Sequence, residues 1–178
     1  MARFLKQVKD AGIRTSFDVV SEHNANFAEK VLPALKYTDN AVMNEIEGCA
    51  VVGLEPRDPN GALLVENIKK AMETILACGV SERVILHCPE AGFILNTQGV
   101  FTQVPSLKLE DGYIKGAVGA GDAFCSGCLY GIYHDFSDTD ILRFASAAAA
   151  CNLSAVDSIS GMKSKEEIFE LLSKYEQK

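Results

Sequence analysis

Gly116-Ala117-Val118-Gly119-Ala120-Gly121-Asp122-Ala123-Phe124 leads into a mostly apolar run that reads as a buried helix to about His134. Glycines on both sides of one alanine let the backbone turn with its N–H groups facing one way. A helix that begins directly afterwards adds the positive end of its dipole. The expectation is an anion cradle. Asp122 stands at its rim, where a carboxylate can accept a proton from a bound molecule. The same acid suits a first-turn position on a glycine-initiated helix, and local chemistry leaves both readings open.

Downstream, Phe124, Cys128 and Ile132 fall on one face of that helix. Asp138 or Thr139 is read as the cap of the next helix, whose run from Ala145 to Ala150 suits close packing or the flat wall of a pocket. Ser164-Lys165-Glu166-Glu167 has capping-box spacing and opens a last helix with Ile168, Leu171 and Leu172 inward.

Upstream, Phe4, Leu5, Val8 and Ala11 share a helical face that ends near Gly12, and Ile13 to Val19 alternate as a strand. Asp18 therefore lies near a strand's carboxyl end, where open α/β sheets place ligands. Ser21-Glu22-His23-Asn24 reads as loop. A helix through Phe27, Val31, Leu32 and Leu35, with a kink at Pro33, precedes the strand Ala41-Val42-Met43. That strand runs into Asn44-Glu45-Ile46-Glu47. Asn44 and Glu47 either offer oxygens to a hydrated Mg²⁺ or form a capping box.

Leu54 to Gly61 is a turn-rich connector. Leu64, Ile68, Met72, Ile75 and Leu76 mark the next helix, and Val84-Ile85-Leu86-His87 is a strand buried on both faces. Cys88-Pro89-Glu90-Ala91-Gly92 reads as a tight turn. Strands around Phe93 to Asn96 and Val100 to Val104 are joined by Thr97-Gln98-Gly99 as a hairpin. His87 reads as a packed, hydrogen-bonded residue.

The chain of 178 residues is 48% hydrophobic and 23% charged, enough for one good core in a single domain over residues 1–178. A net charge of −7 and a pI near 5.0 argue against nucleic-acid or anionic-membrane partners, which need a basic footprint. No stretch approaches the roughly 18 consecutive apolar residues of a membrane span, and the start lacks the apolar core of a signal peptide. The chain thus reads as cytoplasmic. Its six cysteines sit in apolar segments, as reduced buried thiols do. Cys125-x-x-Cys128 lacks the two further ligands that a zinc site needs. Strands alternating with helices imply an α/β fold with a mainly parallel sheet flanked by helices, plus an antiparallel patch near residues 93 to 104.

Gly119-Ala120-Gly121-Asp122-Ala123-Phe124, with Gly127 one turn later, resembles the second signature of the ribokinase-like (PfkB) carbohydrate kinases. Asn44-Glu45-Ile46-Glu47 is similar to that family's N-x-x-E magnesium motif, and Phe17-Asp18 to the strand end lining its substrate cleft. Val84 to Gly92 resembles the strand and nucleotide-binding turn, and Arg143 to Ala150 the helix beside the adenine. The resemblance implies a three-layer α/β/α sandwich and an ATP-dependent phosphorylation of a sugar hydroxyl. It assigns Asp122 as base and Gly119, Ala120 and Gly121 as the anion hole. Glu90, Gly92, Val118 and Ser146 fall in the nucleotide-binding segments, Asp18 on the substrate side, and Asn44 and Glu47 beside Mg²⁺. A nucleoside kinase is a second acceptor class within the family, and a non-catalytic nucleotide-binding or assembly module is an alternative outside it.

Gly116-Ala117 stand where the family commonly has Asp-Thr, so the resemblance does not extend to that monovalent-cation site. The turn His87 to Gly92 keeps only the last glycine of the family's usual T-L-G-x-x-G. The chain resembles the C-terminal part of such a kinase, without the half that holds the glycine-pair signature and lid. That incompleteness implies an open sheet edge suited to self-association as a homo-oligomer, a dimer in the simplest case.

Overall fold

A computed structural model describes residues 1–19 and 26–175; the loop expected at Ser21 to Asn24 lies outside them. The chain divides into two compact units, Met1–Cys88 with Ile94–Phe101, and Pro89–Phe93 with Thr102–Lys178. Among the described residues there are seven helices and five strands. The strands form one sheet in the order β1(Ser16–Asp18), β2(Asn40–Asn44), β3(Arg83–His87), β4(Ala91–Asn96), β5(Phe101–Pro105). The boundary between the units falls within β4 and within β5.

The first unit holds α1(Ala2–Asp10), α2(Phe27–Leu35), α3(Glu45–Val51) and α4(Val65–Ala77). β1 pairs in parallel with β2, Asp18 opposite Val42, and β2 in parallel with β3, Asn44 opposite His87. Val42, Met43, Ile85 and Leu86 are fully buried, as a parallel sheet covered on both faces requires. Ile68, Met72 and Ile75 of α4 are buried with them. β1 begins at Ser16 rather than Ile13, because Ile13 is 58% exposed and the Thr15 carbonyl instead accepts the amides of Asp39 and Asn40. Phe4 is 63% exposed, so Leu5 carries the inward face of α1. The hairpin forms as expected: Asn96 Oδ1 accepts the amides of Gln98 and Val100 at 3.0 and 3.1 Å.

Asp39 ties this unit together at the amino ends of its strands. Oδ1 accepts from Lys9 Nζ at 2.9 Å and from the Ser81 hydroxyl, while Oδ2 accepts from the amide and hydroxyl of Thr15 at 2.7 and 3.0 Å. Burial alone would push its carboxyl up; hydrogen bonds from Ser81, Lys9 and Thr15 outweigh that and hold it at about 2. Asp39→Asn puts an amide NH₂ against one of these donors, and urea denaturation should show a loss of about 2–3 kcal/mol.

The second unit is built on α5(Ala120–Tyr133), α6(Asp138–Leu153) and α7(Lys165–Lys174). Phe124, Cys128 and Ile132 are buried along α5, on the face the sequence pattern indicates. A Cβ on Gly127 would lie 2.7 Å from Ala145 Cα, so the small residues of the two helices let their backbones approach closely. That settles Ala145, Ala147 and Ala148 as buried packing residues rather than a pocket wall. Ser137, not Asp138 or Thr139, caps α6: its hydroxyl accepts the Asp140 amide at 3.2 Å, which leaves Asp138 as the first helical residue. The α7 capping box of Ser164 and Glu167 forms as its spacing predicts, with Ile168 buried.

Candidate active site

In the second unit, Gly119 is the N-terminal cap of α5, with φ 82° and ψ −2°. That left-handed conformation reverses the chain just before the helix, and only glycine adopts it freely. The turn is also held from outside: a Cβ on Gly119 would lie 2.7 Å from the Ser158 carbonyl oxygen, and one on Gly116 2.9 Å from that of Val156. The loop after α6 therefore buttresses the loop before α5. Asn152 Nδ2 donates to the same Ser158 carbonyl at 2.6 Å.

The backbone hydrogen bonds of the Gly116 to Asp122 segment show which of its amides are engaged. The Ala120 amide donates to the Ala117 carbonyl at 3.3 Å, closing the turn on itself. Among the described residues the amides of Gly121 and Asp122 have no acceptor, as expected of the first turn of a helix. The Gly119 amide likewise has no acceptor among the described residues, so of the amides of Gly119, Ala120 and Gly121 only that of Ala120 is engaged within the turn. Asp122 is exposed in this first turn, and its carboxylate has no hydrogen-bond partner among the described residues. Val118 beside it is 67% exposed.

Three of the expected residues of the first unit gather at the carboxyl ends of its strands. Asp18 ends β1 and accepts the Val19 amide at 2.9 Å. Asn44 ends β2 and caps α3: its Oδ1 accepts the Glu47 amide at 2.8 Å, and Glu47 Oε2 accepts the Asn44 amide at 3.0 Å. The capping box is therefore formed. A carboxylate has about four acceptor positions, so a cap does not by itself exhaust Glu47 for the waters around a hydrated Mg²⁺. Glu47 is 6% exposed, and neighbouring Glu45 is neutralised by the Arg57 guanidinium, whose Nε and Nη2 donate to Oε1 at 3.1 and 2.9 Å. Among the described residues no cluster of three or more His, Cys, Asp or Glu forms a ready-made metal cage.

The family model described as pfkB family carbohydrate kinase matches residues 2–165. The chain belongs to the pfkB family of carbohydrate kinases. It is 32% identical over 93 residues to the 5-dehydro-2-deoxygluconokinase of Listeria monocytogenes, a match covering 52% of this chain and 28% of that protein. The Arabidopsis thaliana ribokinase complexed with ribose and ATP superposes with a TM-score of 0.78 at 22% identity, over 96% of this chain and 51% of that one. Phosphofructokinase-2 from Escherichia coli in complex with potassium gives 0.77 at 19% identity, over 97% and 51%. At these identities the superpositions show the ribokinase-like fold, and this pfkB-family chain spans about half the length of the solved kinases it matches.

The segment from Cys88 to Gly92 departs from the expected turn. β4 already begins at Ala91, so Gly92 lies inside a strand and is buried. A Cβ there would meet Leu142 Cδ2 at 2.9 Å and Phe124 Cζ at 3.2 Å, so packing of α5 and α6 accounts for this glycine. Glu90 is exposed in the preceding bend, and its carbonyl accepts the Ser106 amide at 2.9 Å. Ser146 is 8% exposed within α6.

His87 and Asp39 carry shifted ionisations. Burial pushes the His87 imidazole down to about 4, so it is neutral near neutrality. Between pH 6.5 and 4 the unfolded chain takes up a proton that the folded chain refuses, so the stability this group contributes is complete above pH 6.5 and falls as pH drops. The loss amounts to on the order of 3 kcal/mol. Denaturant titrations across that window should show the slope, and His87→Gln should flatten it.

Proposed function

We propose that the protein transfers the γ-phosphoryl group of ATP to a hydroxyl of a sugar. The observation that carries this reading is a carboxylate without a partner, Asp122, standing beside unsatisfied amides at the start of α5 in a chain of the pfkB family. Asp122 accepts the proton of the attacking hydroxyl, and the amides of Gly119, Gly121 and Asp122, with the helix dipole, stabilise negative charge on the transferring group. Asn44 and Glu47 would hold a hydrated Mg²⁺ through its waters. When bound, that ion supplies positive charge against the ATP phosphates. Exposed Val118 and Glu90 are the nucleotide-side residues, and Asp18 the acceptor-side acid.

A binding or assembly module without turnover is the second reading, favoured by the capping box in which Asn44 and Glu47 already engage each other. Calorimetry with MgATP, paired with a coupled assay over a panel of sugars and nucleosides, separates the two in the complete protein. Turnover on a sugar supports the kinase. MgATP binding with no turnover on any acceptor supports the module, and turnover confined to nucleosides removes the sugar assignment.

A further inference from the structure

A hollow of about 520 Å³ opens in the second unit between α6 and α7, within the size range of small-molecule sites. Phe136, Phe144, Phe169 and Leu172 form its apolar walls. The ring centroids of Phe144 and Phe169 are 5.2 Å apart at 52°, and those of Phe136 and Phe144 are 6.1 Å apart at 85°. Tyr130 stacks beneath Phe144 at 4.8 Å and fixes its plane, while Phe169 is 44% exposed. Mixed edges and faces of this kind receive a flat ring well.

Arg143 lines the same hollow, is exposed, and has no hydrogen bond or ion pair among the described residues. Asp140, one turn earlier, lines the hollow too; its Oδ2 accepts the Ser137 hydroxyl at 2.6 Å within the α6 cap and it makes no ion pair with Arg143, so an anionic ligand must engage the guanidinium on the side away from this carboxylate. An unpaired guanidinium beside aromatic walls is a fork for a planar carboxylate. In a chain of net charge −7, such a cation is where an organic anion is attracted rather than repelled. The hollow shares no residue with the cradle. Phe136 lies beyond the far end of α5, whose 14 residues span roughly 20 Å.

We propose that this hollow binds a small aromatic carboxylate, separately from the nucleotide. The chain contains no tryptophan, so 2-naphthoate can be followed by its own emission. Saturable binding is expected, with Arg143→Gln weakening it about tenfold or more and leaving the circular-dichroism melt unchanged. Neutral 2-naphthylmethanol should bind more weakly and be indifferent to Arg143→Gln, while Phe169→Ser weakens both probes. Excess MgATP should not displace the naphthoate. The inference is overturned by absence of saturable binding to the folded chain, by equal affinity in Arg143→Gln, or by displacement with MgATP.

Discussion

Asp122→Asn should lower the phosphotransfer kcat of the complete protein by about 10³, the scale of a lost general base, while MgATP affinity stays within about twofold. Asparagine keeps the size and shape of aspartate but cannot take the proton. The competing role is quantitatively distinct. A first-turn acid on a helix contributes about 0.3–1 kcal/mol through the dipole and nothing to turnover. Asp122 is exposed and makes no hydrogen bond that the substitution would break. A melt that moves by a degree or two beside unchanged turnover would therefore reduce Asp122 to a helix-start residue. Loss of turnover with an intact melt identifies it as the base.

The second large effect is structural. Gly119→Val places a branched side chain at φ 82° and sets its Cβ 2.7 Å from the Ser158 carbonyl oxygen. The left-handed conformation alone costs about 1–2 kcal/mol. The contact is with backbone, which cannot turn aside, and overpacking adds about 1–3 kcal/mol. A total near 4 kcal/mol should lower Tm by about 10 °C in a chain of this length. Gly53→Val separates the two contributions, because Gly53 has φ 71° with nothing within 4 Å of an added Cβ. It should lose only the conformational part. Equal losses at the two positions would show that the loop after α6 does not brace the cradle.

Much of this architecture is written in local pattern. Val84-Ile85-Leu86 announces a covered strand, and both boxes, Asn44/Glu47 and Ser164/Glu167, are fixed by a three-residue spacing that needs no knowledge of the rest of the fold. The hairpin at Asn96 to Val100 is legible for the same reason. What escapes local pattern is whatever depends on packing. Gly92 follows Pro89-Glu90 and so looks like turn chemistry, whereas its buried place under Phe124 and Leu142 comes from residues 32 and 50 positions away. Local pattern does not single out Ser137, because the run Ser137-Asp138-Thr139 offers three capping residues in succession and only the backbone angles choose among them.

At the site, the glycine pattern indicates the cradle and Asp122, but not the Ala120 amide closing on Ala117, because turn register is not encoded in composition. Nor does the sequence indicate Ser158 as the brace of Gly119, since nothing in Asp157-Ser158-Ile159 distinguishes it from an ordinary loop.

Asp39 is the clearest residue without a local signal, and it bears on how this unit folds. Its carboxylate draws on Thr15, Lys9 and Ser81, which lie 24, 30 and 42 residues away along the chain. No partial assembly satisfies it: two strands without the third leave a desolvated charge short of donors. The cluster thus closes late, after the chain loops between these segments have already lost their entropy. Interactions absent from the folding transition state set the unfolding rate rather than the folding rate. Asp39 is thus expected to act as a latch: Asp39→Asn should raise the unfolding rate of the first unit and leave its folding rate nearly unchanged, as the two arms of a denaturant chevron would show.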